Sequence, residues 1–258
     1  MAAAPWPRTR TAKDRMELIT TIERTGDLAA FNEPVQHNGR TIMVVAALKG
    51  DIPAMNRLYA IDKGLMLRLV PNGNNSTPLV HAIAAGIIAT VEWFGKTYEN
   101  AYGPNVQGIT AMHAVAMAEQ LAVLYYLITK APSSLGYLEA KYDGCTPIAL
   151  YLRHQADSGT YSTTFVESLA DANKLQPAML RIPDKDGRIP LEIYRARYPP
   201  LHQNETVARL LDPEIPSGQK QPLQPGAAAA RRLAAQPSPI NFEMLDGPGN
   251  GSGFDDCC

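Results

Sequence analysis

The chain has 258 residues, 24 Lys and Arg against 25 Asp and Glu, a formal charge of −1, 45% hydrophobic residues and three cysteines. That apolar content excludes wholesale disorder. The balanced charge gives no electrostatic footprint for nucleic acid, and so few cysteines exclude a disulfide scaffold and suit a reducing compartment. One extended domain, or one domain with a tail, fits the length.

In chain order, residues 1–13 (MAAAPWPRTRTAK) carry arginine but no apolar core, so they do not read as a secretory signal. Pro5 and Pro7 oppose the amphipathic helix of a transit peptide, and Ala2 stands where N-myristoylation needs glycine. This stretch is expected to be disordered. The longest apolar run, 79–94, is interrupted by His81 and Glu92 and is shorter than the about 20 residues of a membrane span.

Five stretches between residues 39 and 195 share one grammar. Aligned on a Thr, or the Ile that replaces it, they are anchored at Thr41, Thr77, Thr110, Thr146 and Ile189, spaced 36, 33, 36 and 43 residues apart. A Gly stands two residues before four anchors, at Gly39, Gly108, Gly144 and Gly187, where a tight turn needs positive φ; Asn75 takes that place before Thr77. The Thr then serves as a helix N-cap, and Pro78, Pro147 and Pro190 follow at the first helical position. Small residues such as Ala46, Ala47, Ala82 and Ala116 let this first helix lie close to its neighbours, and Gly50 and Gly86 end it. A second helix presents apolar residues near positions +14 and +17: Met55 and Leu58, Val91 and Phe94, Leu124 and Leu127. In the two longer units the same face reappears as Val166 and Leu169, and as Val207, Leu210 and Leu211. Each helix pair buries its apolar face only by stacking on the next.

This grammar resembles the ankyrin repeat, most closely at Thr77-Pro78-Leu79 with Ala82 and Gly86, and at Thr110 with Met112, His113 and Ala116. The resemblance implies an all-α, ankyrin-repeat solenoid of helix-turn-helix units with short turn tips. About five repeats would span residues 35–212, behind a degenerate capping unit at 14–34 with Gly26-Asp27 at its interhelix turn. Ile189 lacks the capping hydroxyl, and the loops around Ser158 and Pro199 exceed the family pattern, so the last two units are expected to be looser. The resemblance also makes His113 a structural hydrogen-bonder between neighbouring turns, and it points to protein binding through the concave face and the tips. On that face, positions +4, +7 and +8 include Leu48, Lys49, His81, Met117, Leu150, Arg153 and His154; tip candidates are His37, Asn74, Gln107, Tyr142 and Lys185.

Residues 213–258 hold seven Pro and six Gly without a sustained apolar period, so they read as a disordered tail. Inside it, 240–245 (INFEML) is a candidate docking motif. The final pair, Cys257-Cys258, resembles the doubly prenylated terminus of Rab-type GTPases. Two lipid chains on a tail spanning roughly 40 Å would make a stable anchor, although Asp255 and Asp256 would oppose an anionic leaflet.

No Gly-rich phosphate loop, nucleophile elbow or paired-Cys zinc motif occurs, so no catalytic residue, cofactor or metal ligand is expected. Asp184-x-Asp186-Gly187 reads as a turn tip and not a calcium loop, and Cys145 as a small buried residue. The expected function is a cytoplasmic, non-catalytic adaptor binding a partner protein, with a candidate membrane tether at Cys257 and Cys258. It is expected to take no nucleic acid and no small-molecule substrate. The alternatives are a secreted microbial effector that captures a host protein and a cytoskeleton-associated structural component.

Overall fold

The computed structural model describes residues 11–26, 40–64 and 77–216. Gly39, Asn75, the tips at His37 and Asn74, and the whole segment from 217 to Cys257 and Cys258 lie outside the described residues. Those described are mostly helical and contain no strand, only an isolated antiparallel bridge between Tyr142 and Cys145. They fall into two compact units that divide between Ala101 and Tyr102.

The first unit contains α1 (Ala12–Thr25), α2 (Ile42–Lys49), α3 (Ile52–Ile61), α4 (Pro78–Ala84) and α5 (Ile88–Thr97). Here α2 packs on α4 to make an inner row, while α1, α3 and α5 succeed one another in an outer row. The turn between α2 and α3 takes only Gly50 and Asp51. Gly50, at φ 63°, closes α2 in the left-handed conformation, and the Asp51 N–H reaches back to the Ala46 carbonyl at 2.9 Å. Asp51 then caps α3 with one carboxylate oxygen, while the other accepts both Arg15 Nε and Arg15 Nη2, at 2.9 and 2.6 Å. Arg15 is buried, so this pair fixes α1 against the start of α3. Within the core, the Thr90 hydroxyl of α5 donates to the Ala47 carbonyl of α2 at 2.8 Å.

Two boundaries differ from expectation. Helix α1 begins at Ala12, with Thr11 and Asp14 forming a reciprocal capping box, so residues 11–13 are ordered and not part of a disordered terminus. It also packs against α3, which makes it an outer-row helix; the rest of the capping unit expected at 14–34 lies beyond the described residues.

The second unit contains α6 (Ala111–Ala118), α7 (Leu121–Lys130), a 3-10 turn (Pro132–Tyr137), α8 (Pro147–Asp157), α9 (Thr164–Asp171), α10 (Pro177–Leu180), α11 (Pro190–Arg197), a 3-10 turn (Pro200–His202) and α12 (Glu205–Leu211). Helices α6, α8 and α11 form its inner row, and α7, α9 and α12 its outer row. The period-derived apolar positions of both units, from Met55 and Leu58 to Leu210 and Leu211, are all buried.

Across both units the capping register holds. The hydroxyls of Thr41, Thr77, Thr110 and Thr146 each accept the N–H three residues on, at 3.3–3.5 Å. Ile189 has no hydroxyl, and Glu192 compensates by accepting the Ile189 N–H at 2.9 Å. Thr146 is fully buried, so no water can replace its bond to the Ala149 N–H. Thr146→Ala should therefore destabilise the protein by about 1–2 kcal/mol, read as a lower urea midpoint with an unchanged m-value.

The two long loops pack against each other. The Tyr198 hydroxyl donates to the Ser162 carbonyl at 2.9 Å, and Tyr161 stacks on His202 at 4.6 Å and packs edge-on to Tyr198 at 5.5 Å. Arg197 bonds Asp157 at 2.5 Å. Each insertion is therefore a partner for the other, with Tyr161 held at φ 53°.

Candidate functional site

Three turns of the second unit lead into its inner helices, and their construction decides which side chains are displayed. In the first, Asn105 Oδ1 accepts the N–H groups of Gln107 and Ile109 at 2.9 and 3.0 Å. Asp184 builds the third in the same way, accepting the N–H groups of Asp186 and Arg188, both at 2.9 Å. In the second turn, Tyr142 and Cys145 exchange two backbone hydrogen bonds of 2.9 Å. Asp143 and Gly144 between them both have positive φ, 47° and 72°, the conformation of a type I′ hairpin turn.

Neighbouring turns are locked together. The His113 ring stands fully buried between two of them. Its Nδ1 accepts from the Thr110 hydroxyl at 2.8 Å and the Thr110 N–H at 3.3 Å, while Nε2–H donates to the Cys145 carbonyl at 3.1 Å. These partners need the neutral ring with its proton on Nε2. Burial lowers the His113 pKa to about 4, outweighing the bond to Cys145 that favours the proton. This is the structural role the sequence indicated.

Further on, a Cβ added to Gly144 would come within 2.9 Å of Lys185 Cβ, so only glycine permits that approach. Lys185 Nζ reaches Asp143 at 2.7 Å. Arg153 Nη1 of α8 donates to both Asp184 and Asp186 at 2.8 Å. Burial alone would raise the Asp184 pKa. The Arg188 N–H, the Arg153 guanidinium and the Asp186 N–H outweigh burial and hold the carboxyl below its usual range.

Against this frame the expected contact residues separate. Leu48, Met117 and Leu150 are only 4–6% exposed, so all three belong to the core and are not contact residues. On all three helices neighbours close over more than one face, as the nearly continuous buried runs 42–48, 111–117 and 147–152 show. Arg153 is committed to the Asp184 turn, with a side chain 14% exposed. His81 and His154 are half-buried. Burial, and then the charge of Arg40, lowers the His81 pKa to about 4. Tyr142 is half-buried against the His113 ring, with centroids 6.0 Å apart. Lys49 alone of the inner-helix candidates is exposed.

No protein-family model and no curated protein matches this chain. Among the described residues no group of three His, Cys, Asp or Glu could hold a metal ion, and no helix is long and apolar enough to cross a membrane.

Sequence reasoning missed two classes of residue. Asn105 is a turn builder that the sequence did not single out, although it stands three residues before the turn glycine just as Asp184, read as part of a turn tip, does before Gly187. Val106 is 81% exposed at the first turn. Its signal was a β-branched apolar residue inside an otherwise polar Asn-x-Gln-Gly turn, where folding gives it nothing to bury against.

Proposed function

We propose that the chain is an ankyrin-type helical stack acting as a non-catalytic adaptor, which binds a partner protein through its turns and the exposed ends of its inner helices. The observation that carries this reading is Val106. It is an apolar side chain 81% exposed, held on a turn whose backbone Asn105 fixes with two hydrogen bonds. An apolar contact on a rigid support loses little conformational entropy on binding, and water is displaced from it at a gain. Lys49, exposed beside the Gly50 turn, supplies a charged contact of the kind that steers encounter. The near-zero net charge suits a protein partner better than a polyanion. His113, with both ring nitrogens engaged in holding the turns, is a structural group and not an acid–base catalyst. The tether through Cys257 and Cys258 belongs to the same proposal, since two lipid chains would hold a cytoplasmic adaptor at a membrane surface.

The test begins with proximity labelling to find the partner, followed by titration calorimetry with the purified pair. Val106→Glu and Lys49→Glu, one in each unit, should leave the circular-dichroism melt unchanged. Val106→Glu should weaken binding about tenfold or more, as expected for an apolar contact replaced by a charge. Unchanged affinity in Val106→Glu would overturn the proposed contact at the first turn, and unchanged affinity in Lys49→Glu the one beside Gly50.

A further inference from the structure

One outer-row helix of the second unit departs from the others in what it shows to water. Helices α1, α3, α5, α9 and α12 each carry at least one charged side chain before their last residue, as a helix with one wet face normally does. Helix α7 (LAVLYYLITK) carries none until Lys130, which ends it. Its Val123, Leu124 and Leu127 are buried. The opposite face holds Leu121, Ala122, Tyr125, Tyr126 and Thr129. Tyr125 is 70% exposed, Thr129 is exposed and the other three are half-buried. The Thr129 hydroxyl donates to the Tyr125 carbonyl at 2.8 Å, so it is turned back on its own helix. What remains is an apolar strip in water, ending at an exposed lysine that has no partner among the described residues.

The chain beyond Pro216 contains a segment of matching chemistry. Four of the seven large apolar side chains of 217–258 fall within six positions, as Ile240, Phe242, Met244 and Leu245; the other three, Leu223, Leu233 and Phe254, stand alone. Pro237 and Pro239 precede this segment and Gly247-Pro248-Gly249 follow it. Six residues between such breakers cannot build a core of their own, and their apolar surface gains only from a face elsewhere. Glu243 and the adjoining Asp246 give the segment two carboxylates and no cation, opposite in charge to Lys130. The reach also fits. From Pro216 to Ile240 is 24 residues, and a coil of that many averages roughly 25–30 Å end to end. Helix α12, which leads to Pro216, packs on α9, and α9 packs on α7. At about 8–10 Å between packed axes, α7 lies about 20 Å from α12.

We propose that residues 240–245 of this chain dock on the outward face of α7, with their apolar side chains against Tyr125 and its neighbours and an acidic group at Lys130. Attachment to the same chain supplies an effective concentration of about a millimolar, so a contact that a free peptide makes only weakly is populated. The segment covers an apolar strip that would otherwise adhere to other molecules. Neither Val106 nor Lys49 takes part, so this contact and the adaptor surface stand or fall separately.

The test uses the full chain with the photo-cross-linker p-benzoylphenylalanine in place of Phe242. Irradiation at high dilution should join that position to residues 121–130 of the same molecule, as mapped by mass spectrometry, and Tyr125→Glu should abolish the link. A peptide of residues 238–247, titrated in trans, gives the second reading. It should bind the full chain bearing Phe242→Ser and Met244→Ser at least about tenfold more tightly than wild type, whose own segment occupies the face. Adding Tyr125→Glu to that variant should weaken the peptide about tenfold or more, and adding Lys130→Glu about threefold. Links outside α7, no saturable binding to the serine variant, or equal binding to that variant and wild type would overturn the proposal. Links from one molecule to α7 of another would overturn the fold-back and make the strip an interface between copies. Circular-dichroism melts accompany each variant; should Tyr125→Glu not fold, the comparison of wild type with the serine variant decides.

Discussion

His113→Ala should cost roughly 3 kcal/mol of unfolding free energy at pH 7 and flatten the dependence of stability on acid. The ring is fully buried and ties Thr110 to the Cys145 carbonyl, so truncation opens a cavity and strips a buried carbonyl of its donor. Its folded pKa of about 4 lies below the ordinary 6.5, so the unfolded chain takes up this proton first. The stability gained by keeping the ring neutral is therefore complete above about pH 6.5 and is lost as pH falls from there toward 4. A shift of that size corresponds to about 3 kcal/mol for His113. His81 acts in the same direction, though more weakly because it is partly exposed. Urea unfolding at pH 7 and pH 4.5 measures both effects. Wild type should lose several kcal/mol between them, while His113→Ala should start lower and lose less. An identical pH slope in the two proteins would show that His113 is not the group being titrated.

The second large effect is expected at Asp184. Its side chain is fully buried, holds two backbone N–H groups of its own turn and accepts the guanidinium of Arg153. Asp184→Ala should cost about 3 kcal/mol, because it leaves a partly buried cation short of a partner and two partly buried donors without their acceptor. Asn105 supplies the internal control, since an amide builds the same turn without an arginine. Asp184→Asn should accordingly keep the turn and lose only the charge pair, costing about 1–2 kcal/mol. Adding Arg153→Met to the Asn variant should then cost less than Arg153→Met costs in wild type. Additive losses in that double-mutant cycle would mean the pair is not coupled.

The helices and their caps were legible because both signals are local. A Thr followed by Pro or an apolar residue marks a helix start, and apolar residues at +14 and +17 mark the buried face of the next helix. The burial of Leu48, Met117 and Leu150 was not legible. Periodicity tells which residues share a face of a helix, but not how many faces neighbouring elements cover. Arg153 reads as a surface cation until the turn 31 residues later brings Asp184 against it. The edge-to-face contact of Tyr59 and Trp93 is non-local in the same way, since the two rings meet only when α3 and α5 lie side by side. Of the two proposed contacts, Lys49 is legible from its position in the repeat, whereas Val106 becomes visible only once the polar turn around it leaves it exposed.

The interlocked loops at Ser162 and His202 bear on how the protein comes apart. In a one-dimensional array the terminal module has a single neighbour and opens first, at a free energy set by that one interface. Here Tyr198 reaches from the end of α11 to the loop before α9, Arg197 reaches the last residue of α8, and Tyr161 reaches back to His202. The last helix pair cannot peel away without also freeing the loop that connects α8 to α9. The helix pairs α8–α9 and α11–α12, which would otherwise open in succession, are thereby expected to open in one event.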